Sequence, residues 1–237
     1  MDEEKPKAVL GYFNIIARKY DFMNSCLSFG LHHLWKRTAV RISGLKQGDR
    51  VLDLCGGTAD LAILAARAAG SAGRVLVYDF SLGMMQAGKP KIEKTSLSSV
   101  IKCVCGDAGR IAARDNIFDA VLIGFGLRNL AEMGQSLDEM YRVLRPGGKL
   151  VCLEFSRPAF PLFRWLYDIY SFYVIPLAGK LITGSREAYT YLPRSIRSFP
   201  LPEDLSSIIG EAGFSDVAFK RLTNGVAVIH IGTKSVG

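Results

Sequence analysis

The chain has 237 residues, of which 49% are hydrophobic. That length suits one large domain with a small addition, and that composition excludes a disordered polypeptide. The formal charge of +8 favours an acidic partner, whether nucleic acid, an anionic membrane surface or an anionic ligand, without choosing among them.

The opening MDEEKPKAVL is acidic and carries no apolar signal core, and no stretch reaches about 18 uninterrupted apolar residues. The expected setting is cytoplasmic, with no spanning helix. Residues 7–43 read as helical, broken near DFMNSCLSFG, which makes 1–45 a helical N-terminal cap. Units of alternating period follow. RVLDLC (50–55) is a strand, ADLAILAARAAG (59–70) a helix closed by Gly70, and RVLVYD (74–79) a strand ending in an acid. SLGMMQAG (81–88) is a short helix with Ser81 as N-cap. VIKCVC (100–105) and FDAVLIGFG (118–126) are the third and fourth strands. QSLDEMYRVL (135–144) is a helix stopped by RPGG, and KLVCLEFS (149–156) is the fifth strand. An aromatic, partly helical insertion occupies about 157–200. A helix near 203–212 and two strands, SDVAFKRL and VAVIHIG, complete the domain that begins at 46. Strands that are apolar runs rather than alternations predict a parallel sheet covered on both faces, in a doubly wound α/β fold. The cysteines at 26, 55, 103, 105 and 152 form no spaced CxxC pairs. They read as small buried hydrophobes, not as disulfides or zinc ligands, and no metal site is expected.

Ligands of open parallel sheets bind beyond the carboxyl ends of the strands. Gly56, Gly57 and Thr58 lie there, where a helix N-terminus presents free N–H groups. Asp79 ends the second strand, where an acid accepts hydrogen bonds from a ribose diol, as suits NAD and S-adenosylmethionine equally. CGGTAD is not GxGxxG, and a tight strand–helix turn is its simpler reading. Three features favour S-adenosylmethionine. Asp53 precedes the turn as in the LD-x-G-x-G loops of class I methyltransferases. GDAGRIAARDNIFDAV resembles the segment over adenine, with Asp107 placed to meet the exocyclic amine. RVLRPGGKLVCLEF resembles the helix–Pro-Gly-Gly–strand element of the same fold. The cofactor-binding set is therefore Asp53, Gly56, Gly57, Thr58, Asp79, Phe80, Asp107, Ala108 and Gly124.

YDFMNSCLSFGLHHLW (20–35) and FGLRN (125–129), with RPGGKLVCLEFSRP, YLPRSIRSFP (191–200) and LTNGVAVIHIGTK, resemble the ubiquinone/menaquinone biosynthesis C-methyltransferase family. Its front motif falls here on Tyr20, Asp21, Met23, Asn24, Ser28, Gly30 and Trp35. The resemblance implies a Rossmann-like class I methyltransferase fold: a mostly parallel seven-stranded sheet, helices on both faces, and a cap formed by the N-terminal helices and the aromatic insertion. It also implies methylation of a ring carbon on a reduced polyprenyl quinone, with the YL…S…FP stretch leaning toward demethylmenaquinol. Three positions and one segment depart from the family pattern. Ala59 replaces the last glycine of GGTGD, Cys55 replaces Ala or Gly, AGRIAARDN replaces an acidic-apolar segment, and Gly124 replaces Ser. A methyl at Ala59 is tolerable if that residue is already helical, and otherwise crowds the cofactor.

On this resemblance Arg128 holds the quinol oxygen or an activating water as a fixed charge, and Asn129 orients the same group. A structural salt bridge is the simpler role for Arg128. Tyr20, Asp21, Met23, Asn24 and Trp35 would line the substrate or form a lid. His32 and His33, roughly 100° apart on a helix, offer a base or a surface cap, and His230 reads as core. Phe160, Phe163, Trp165, Tyr167, Tyr170, Phe172 and Tyr173, with six basic residues against Asp168 and Glu187 between 157 and 199, suit peripheral contact with the inner face of an anionic membrane. A tunnel wall or a homodimer surface fits the same residues. No NPPY-type motif or RNA-binding module is present, so nucleic acid is not the expected partner. A methyltransferase of soluble metabolites, or a homologue that binds cofactor with little turnover, are the alternatives.

Overall fold

The computed structural model describes residues 4–236. Three helices come first: α1 (Glu4–Ile16), α2 (Tyr20–Leu27) and α3 (Leu31–Ser43). The alternating core follows as β1 (Arg50–Leu54), α4 (Asp60–Ala69), β2 (Arg74–Asp79), α5 (Leu82–Glu93), β3 (Ile101–Cys105), β4 (Phe118–Gly124), α6 (Met133–Val143) and β5 (Leu144–Phe155). The insertion is α7 (Pro161–Ile169), a π-turn (Tyr170–Val174), α8 (Ile175–Thr183) and α9 (Arg186–Ser198). α10 (Pro202–Glu211), β6 (Phe214–Leu222) and β7 (Ala227–Lys234) close the chain. The strand order is β3-β2-β1-β4-β5-β7-β6, parallel except for β7, which runs against both neighbours. This is the Rossmann-like methyltransferase sheet the sequence implied.

Alternation along the central strands divides the core in two. Val51, Ala120, Leu122, Val151 and Leu153 face α3 and α4, and Leu52, Leu54, Val121, Ile123, Leu150 and Cys152 face α6 and α10. The Ala62, Ala65, Ala66 and Ala69 face of α4 is fully buried, so small side chains bring this helix close to the sheet and aim its N-terminus over the end of β1. A third cluster, Ile16, Met23, Ile175, Ala188 and Tyr189, joins the N-terminal helices to the insertion, so the two expected caps form one cover.

Several expectations need correction. The front motif is helical through Leu27, and the break falls at Phe29 and Gly30, whose φ values are +50° and +76°. α5 runs past Gly88 and Pro90, because a Cβ at Gly88 would stand 2.7 Å from the Thr58 backbone, so glycine there lets α5 lie against the ligand loop. The RPGG turn lies inside β5, which starts at Leu144. Only Cys152 is buried: Cys26, Cys103 and Cys105 are exposed and Cys55 is half-buried. The reason at Cys103 and Cys105 is position, since β3 is a sheet edge whose residues after Ile101 face solvent. Among the described residues, no helix is long and apolar enough to cross a membrane.

Candidate functional site

A cavity of about 210 Å³ opens at the carboxyl ends of β1, β2 and β4. Its floor is the loop from Cys55 to Thr58. A Cβ at Gly56 would come within 2.8 Å of Asp53 Oδ2 and 2.9 Å of Val77, and Gly57 sits at φ +51°. Cys55, Ala59 and Phe125 also lie in the left-handed region, at +54°, +65° and +60°. Such backbone strain persists where surrounding structure over-determines it, and it gathers at ligand sites. Ala59 is therefore not a helical residue. It caps α4 from a left-handed conformation with its methyl buried, and the expected helical accommodation is overturned.

Asp53 is completely buried; its Oδ2 accepts from Ala62 N at 2.9 Å, and its Oδ1 has no partner. Burial pushes its pKa up to about 7. Asp79 accepts from Gly57 N at 2.8 Å and from Ser81 N at 2.7 Å, which holds the carboxylate at the cavity wall, and burial raises its pKa as well. Phe80, Asp107, Ala108 and Gly124 also line the cavity. Asp107 Oδ1 accepts from Gly109 N at 2.9 Å, and a Cβ at Gly124 would meet Leu61 Cδ1 at 2.5 Å, so serine there would require Leu61 to move.

Asp21 reaches this loop from α2. It accepts from Thr58 Oγ1 at 2.6 Å and from Lys91 Nζ at 2.6 Å, and Lys91 also reaches Asp60 at 2.6 Å. Lys36 completes the chain at 2.7 Å from Asp60, whose pKa these two ammonium groups hold well below the carboxylate range. The network ties the cap to the ligand loop. Donor atoms of His32, His33 and Asp60 lie within 4.8 Å of one another, but the two lysines already occupy both Asp60 oxygens, which disfavours a further cation.

A second cavity, of about 270 Å³, lies under the insertion, and Tyr20 and Phe125 line both cavities. Its walls include Asn24, Trp35, Phe155, Phe163, Tyr167, Tyr170 and Ile196. Phe125 stacks on Phe155 with centroids 4.3 Å apart, and Trp35 packs edgewise on Phe155 while its Nε1 donates to Thr223 Oγ1 at 2.9 Å. Met23 lines neither cavity and packs inside the cover. Asn129 lines the first cavity, held by Tyr191, whose hydroxyl donates to Asn129 Oδ1 at 3.1 Å. Arg128 lines neither. Its Nη1 donates to Glu154 Oε1 at 2.7 Å and to Phe125 O at 2.5 Å, and the side chains of the pair are 6% and 2% exposed. Nη2 donates to no described residue.

The family model described as the ubiE/COQ5 methyltransferase family matches residues 1–234. The chain belongs to that family. A relative from Francisella philomiragia, "Ubiquinone/menaquinone biosynthesis C-methyltransferase UbiE", is 43% identical over 232 residues, 98% of this chain and 93% of its own. Among solved structures, a SAM-dependent methyltransferase from Aquifex aeolicus superposes with a TM-score of 0.59 at 18% identity, over 84% of this chain and 89% of its own. Phosphoethanolamine N-methyltransferase 2 from Haemonchus contortus, solved with S-adenosyl-L-methionine, gives 0.63 at 15% identity, over 85% of this chain and 52% of its own. The ubiE/COQ5 chain is thus an S-adenosylmethionine-dependent methyltransferase of quinone biosynthesis. The cavity fits that cofactor chemically. The unpartnered Oδ1 of Asp53 suits an ammonium group, the Gly56–Gly57 turn admits a ligand close to the backbone, and Asp79 stands where a ribose diol can donate.

Sequence reasoning missed Lys36, Asp60, Lys91 and Glu154. Asp60 sits inside the glycine-turn segment, but its partners come from helices whose approach no local spacing encodes. Tyr191 lay within a recognised stretch without a role.

Proposed function

We propose that this chain methylates a ring carbon of a reduced polyprenyl quinone, converting demethylmenaquinol to menaquinol. What supports the reading is the second cavity: apolar, lined by aromatic rings, and sharing Tyr20 and Phe125 with the cofactor cavity, so that a flat ring there lies beside the methyl donor. S-adenosylmethionine supplies an electrophilic methyl group on a sulfonium. The chain supplies alignment and charge. Asn129, fixed by Tyr191, orients the quinol oxygen or a water at the junction, and Arg128, which lines neither cavity but is anchored on Glu154 and Phe125 O beside Asn129, supplies a fixed positive charge behind that junction that favours the phenolate form of the quinol. The polyprenyl tail leaves beneath α7. Phe160, Leu162, Trp165, Leu166, Tyr173 and Leu181 are all more than half exposed there, with Lys180, Arg186 and Arg194 exposed nearby. Arg157 and Arg197 are instead turned to internal partners, so the outward basic charge is smaller than the sequence count. This face supports peripheral contact with an anionic membrane.

The test is single-turnover methyl transfer from labelled S-adenosylmethionine to demethylmenaquinol, to a methoxy-polyprenyl-benzoquinol and to a soluble catechol. Product from demethylmenaquinol supports the reading. Product only from the benzoquinol moves the chain to the ubiquinone branch, and transfer only to catechol removes the lipid substrate. Sedimentation with anionic vesicles tests the membrane face, and a concentration-dependent dimer with no vesicle binding would assign that face to self-association.

A further inference from the structure

Ring methylation releases a proton inside a largely apolar cavity. The ring carbon forms a bond to the methyl as the carbon–sulfur pair returns to sulfur. That carbon then gives up its hydrogen as a proton, and the freed pair restores the aromatic ring. One proton per turnover must leave a cavity walled by Phe125, Phe155, Tyr167 and Ile196. Tyr167 and Tyr170 cannot take it, because burial raises both phenols, that of Tyr167 to about 12, and both keep their own protons. Thr223 already accepts from Trp35, and Ser28 is bonded to Asn24 O at 2.6 Å.

His32 is different. It lines this cavity at 2% exposure, and its Nδ1 is buried with no hydrogen-bond partner. Its Nε2 lies 3.1 Å from Ser25 Oγ, and the same oxygen lies 3.4 Å from Nε2 of His33. The two imidazoles are 3.8 Å apart between centroids, and His33 is exposed. The break at Phe29–Gly30 creates this arrangement by folding the start of α3 back onto α2.

We propose that His32 accepts the proton released by methylation and that Ser25 and His33 carry it to solvent. This rests on the quinol reading of the second cavity. The chain of groups balances. A neutral His32 protonated at Nε2 donates to Ser25 Oγ, whose hydroxyl donates to Nε2 of His33. A proton arriving at the free Nδ1 sends the Nε2 proton to Ser25 and the Ser25 proton to His33. His33 then releases one to water, and a turn of the His32 ring, or exchange with water once product has left, restores the Nε2–H tautomer before the next turnover. The groups facing His32 keep its ring neutral. Burial, then Lys36, then His33 lower its pKa to about 4, against smaller opposing pulls from Asp60 and Asp21. A weak base suffices, since the hydrogen on the methylated ring carbon is strongly acidic until aromaticity returns, and a weak base passes the proton onward readily.

The test uses the full chain with demethylmenaquinol. His32→Gln is expected to slow single turnover about 100-fold, the range of positioned proton transfer, with S-adenosylmethionine affinity and thermal midpoint close to wild type. Ser25→Ala is the milder variant and is expected to slow it about 10-fold with an altered solvent isotope effect, as one link in that transfer. Added imidazole is expected to restore part of the rate in His33→Ala. Nitrogen-15 NMR of the wild type is expected to show His32 neutral and protonated at Nε2 at pH 7. Wild-type rates in both His32→Gln and Ser25→Ala, or a proton on Nδ1, overturn the route alone. A wild-type protein inactive on every quinol overturns the substrate reading and the route together.

Discussion

Ala59 offers a sharp test of how the ligand loop is held. Its φ of +65° places a Cβ-bearing residue in the left-handed region at the cap of α4. That conformation costs a non-glycine residue about 1–2 kcal/mol. Ala59→Gly removes the strain but also removes a methyl from a residue that is 1% exposed and belongs to the buried cluster on the α4 side of the sheet. Burying one such group is worth about 0.8 kcal/mol. The difference is a net gain of about 0.2–1.2 kcal/mol, or roughly 0.4–5 °C in Tm for a domain of this size. Ala59→Val should fall in the opposite direction, because β-branching makes the left-handed region worse. The assay is urea unfolding of the three proteins without ligand, paired with calorimetric titration of S-adenosylmethionine. A loss of stability in Ala59→Gly greater than about 1 kcal/mol would refute the reasoning, since the methyl would then be worth more than its area allows. Unchanged ligand affinity in Ala59→Gly would show that the loop adopts the same path with either residue.

Two further outcomes follow from buried charge. Glu154→Gln leaves the Arg128 guanidinium without its carboxylate at a pair only 6% and 2% exposed, and is expected to cost roughly 3–5 kcal/mol in urea unfolding; stability within about 1 kcal/mol of wild type would mean the pair is not structural. Asp53 titrates near 7 when folded against 3.8 as a free side chain. The folded state then holds a proton that the unfolded state has lost, so this group's contribution is fully present below about 4 and is lost as pH rises through 7. The unfolding free energy of wild type relative to Asp53→Asn should therefore decline from pH 5 to pH 7 in the ligand-free protein. A flat or rising difference would show that Asp53 is ionised throughout.

The strands, their order of appearance and the cofactor loop were legible because each depends on residues adjacent in sequence. The run 50–54 forms a covered strand after its exposed Arg50, and a Cβ at Gly56 would collide with Asp53 and Val77. The errors have a common cause in contacts made across the fold. Gly88 looked like a helix end, yet it is the point where α5 meets Thr58. Ala59 is compatible with a helix on propensity alone, whereas in the fold its N–H donates to Gly56 O at 2.8 Å in a tight turn and its backbone is left-handed. Arg128 follows β4 and is open in the sequence to a substrate role or a salt bridge; the ion pair is present, but its partner Glu154, at the end of the next strand, is invisible to any local pattern.

Arg128 shows how far the two readings can coexist. A guanidinium tied only to structure would spend all its donors inward. Here the backbone N, Nε and Nη1 are bonded to Glu154, Ser195 and Phe125, and Nη2 alone is left over. Its neighbour Asn129 is braced by Tyr191 and faces the cofactor cavity. The ion pair and the role proposed for Arg128 are compatible: Glu154 fixes the plane of the guanidinium, so the charge proposed to favour the phenolate form of the quinol is held in place without reorganisation.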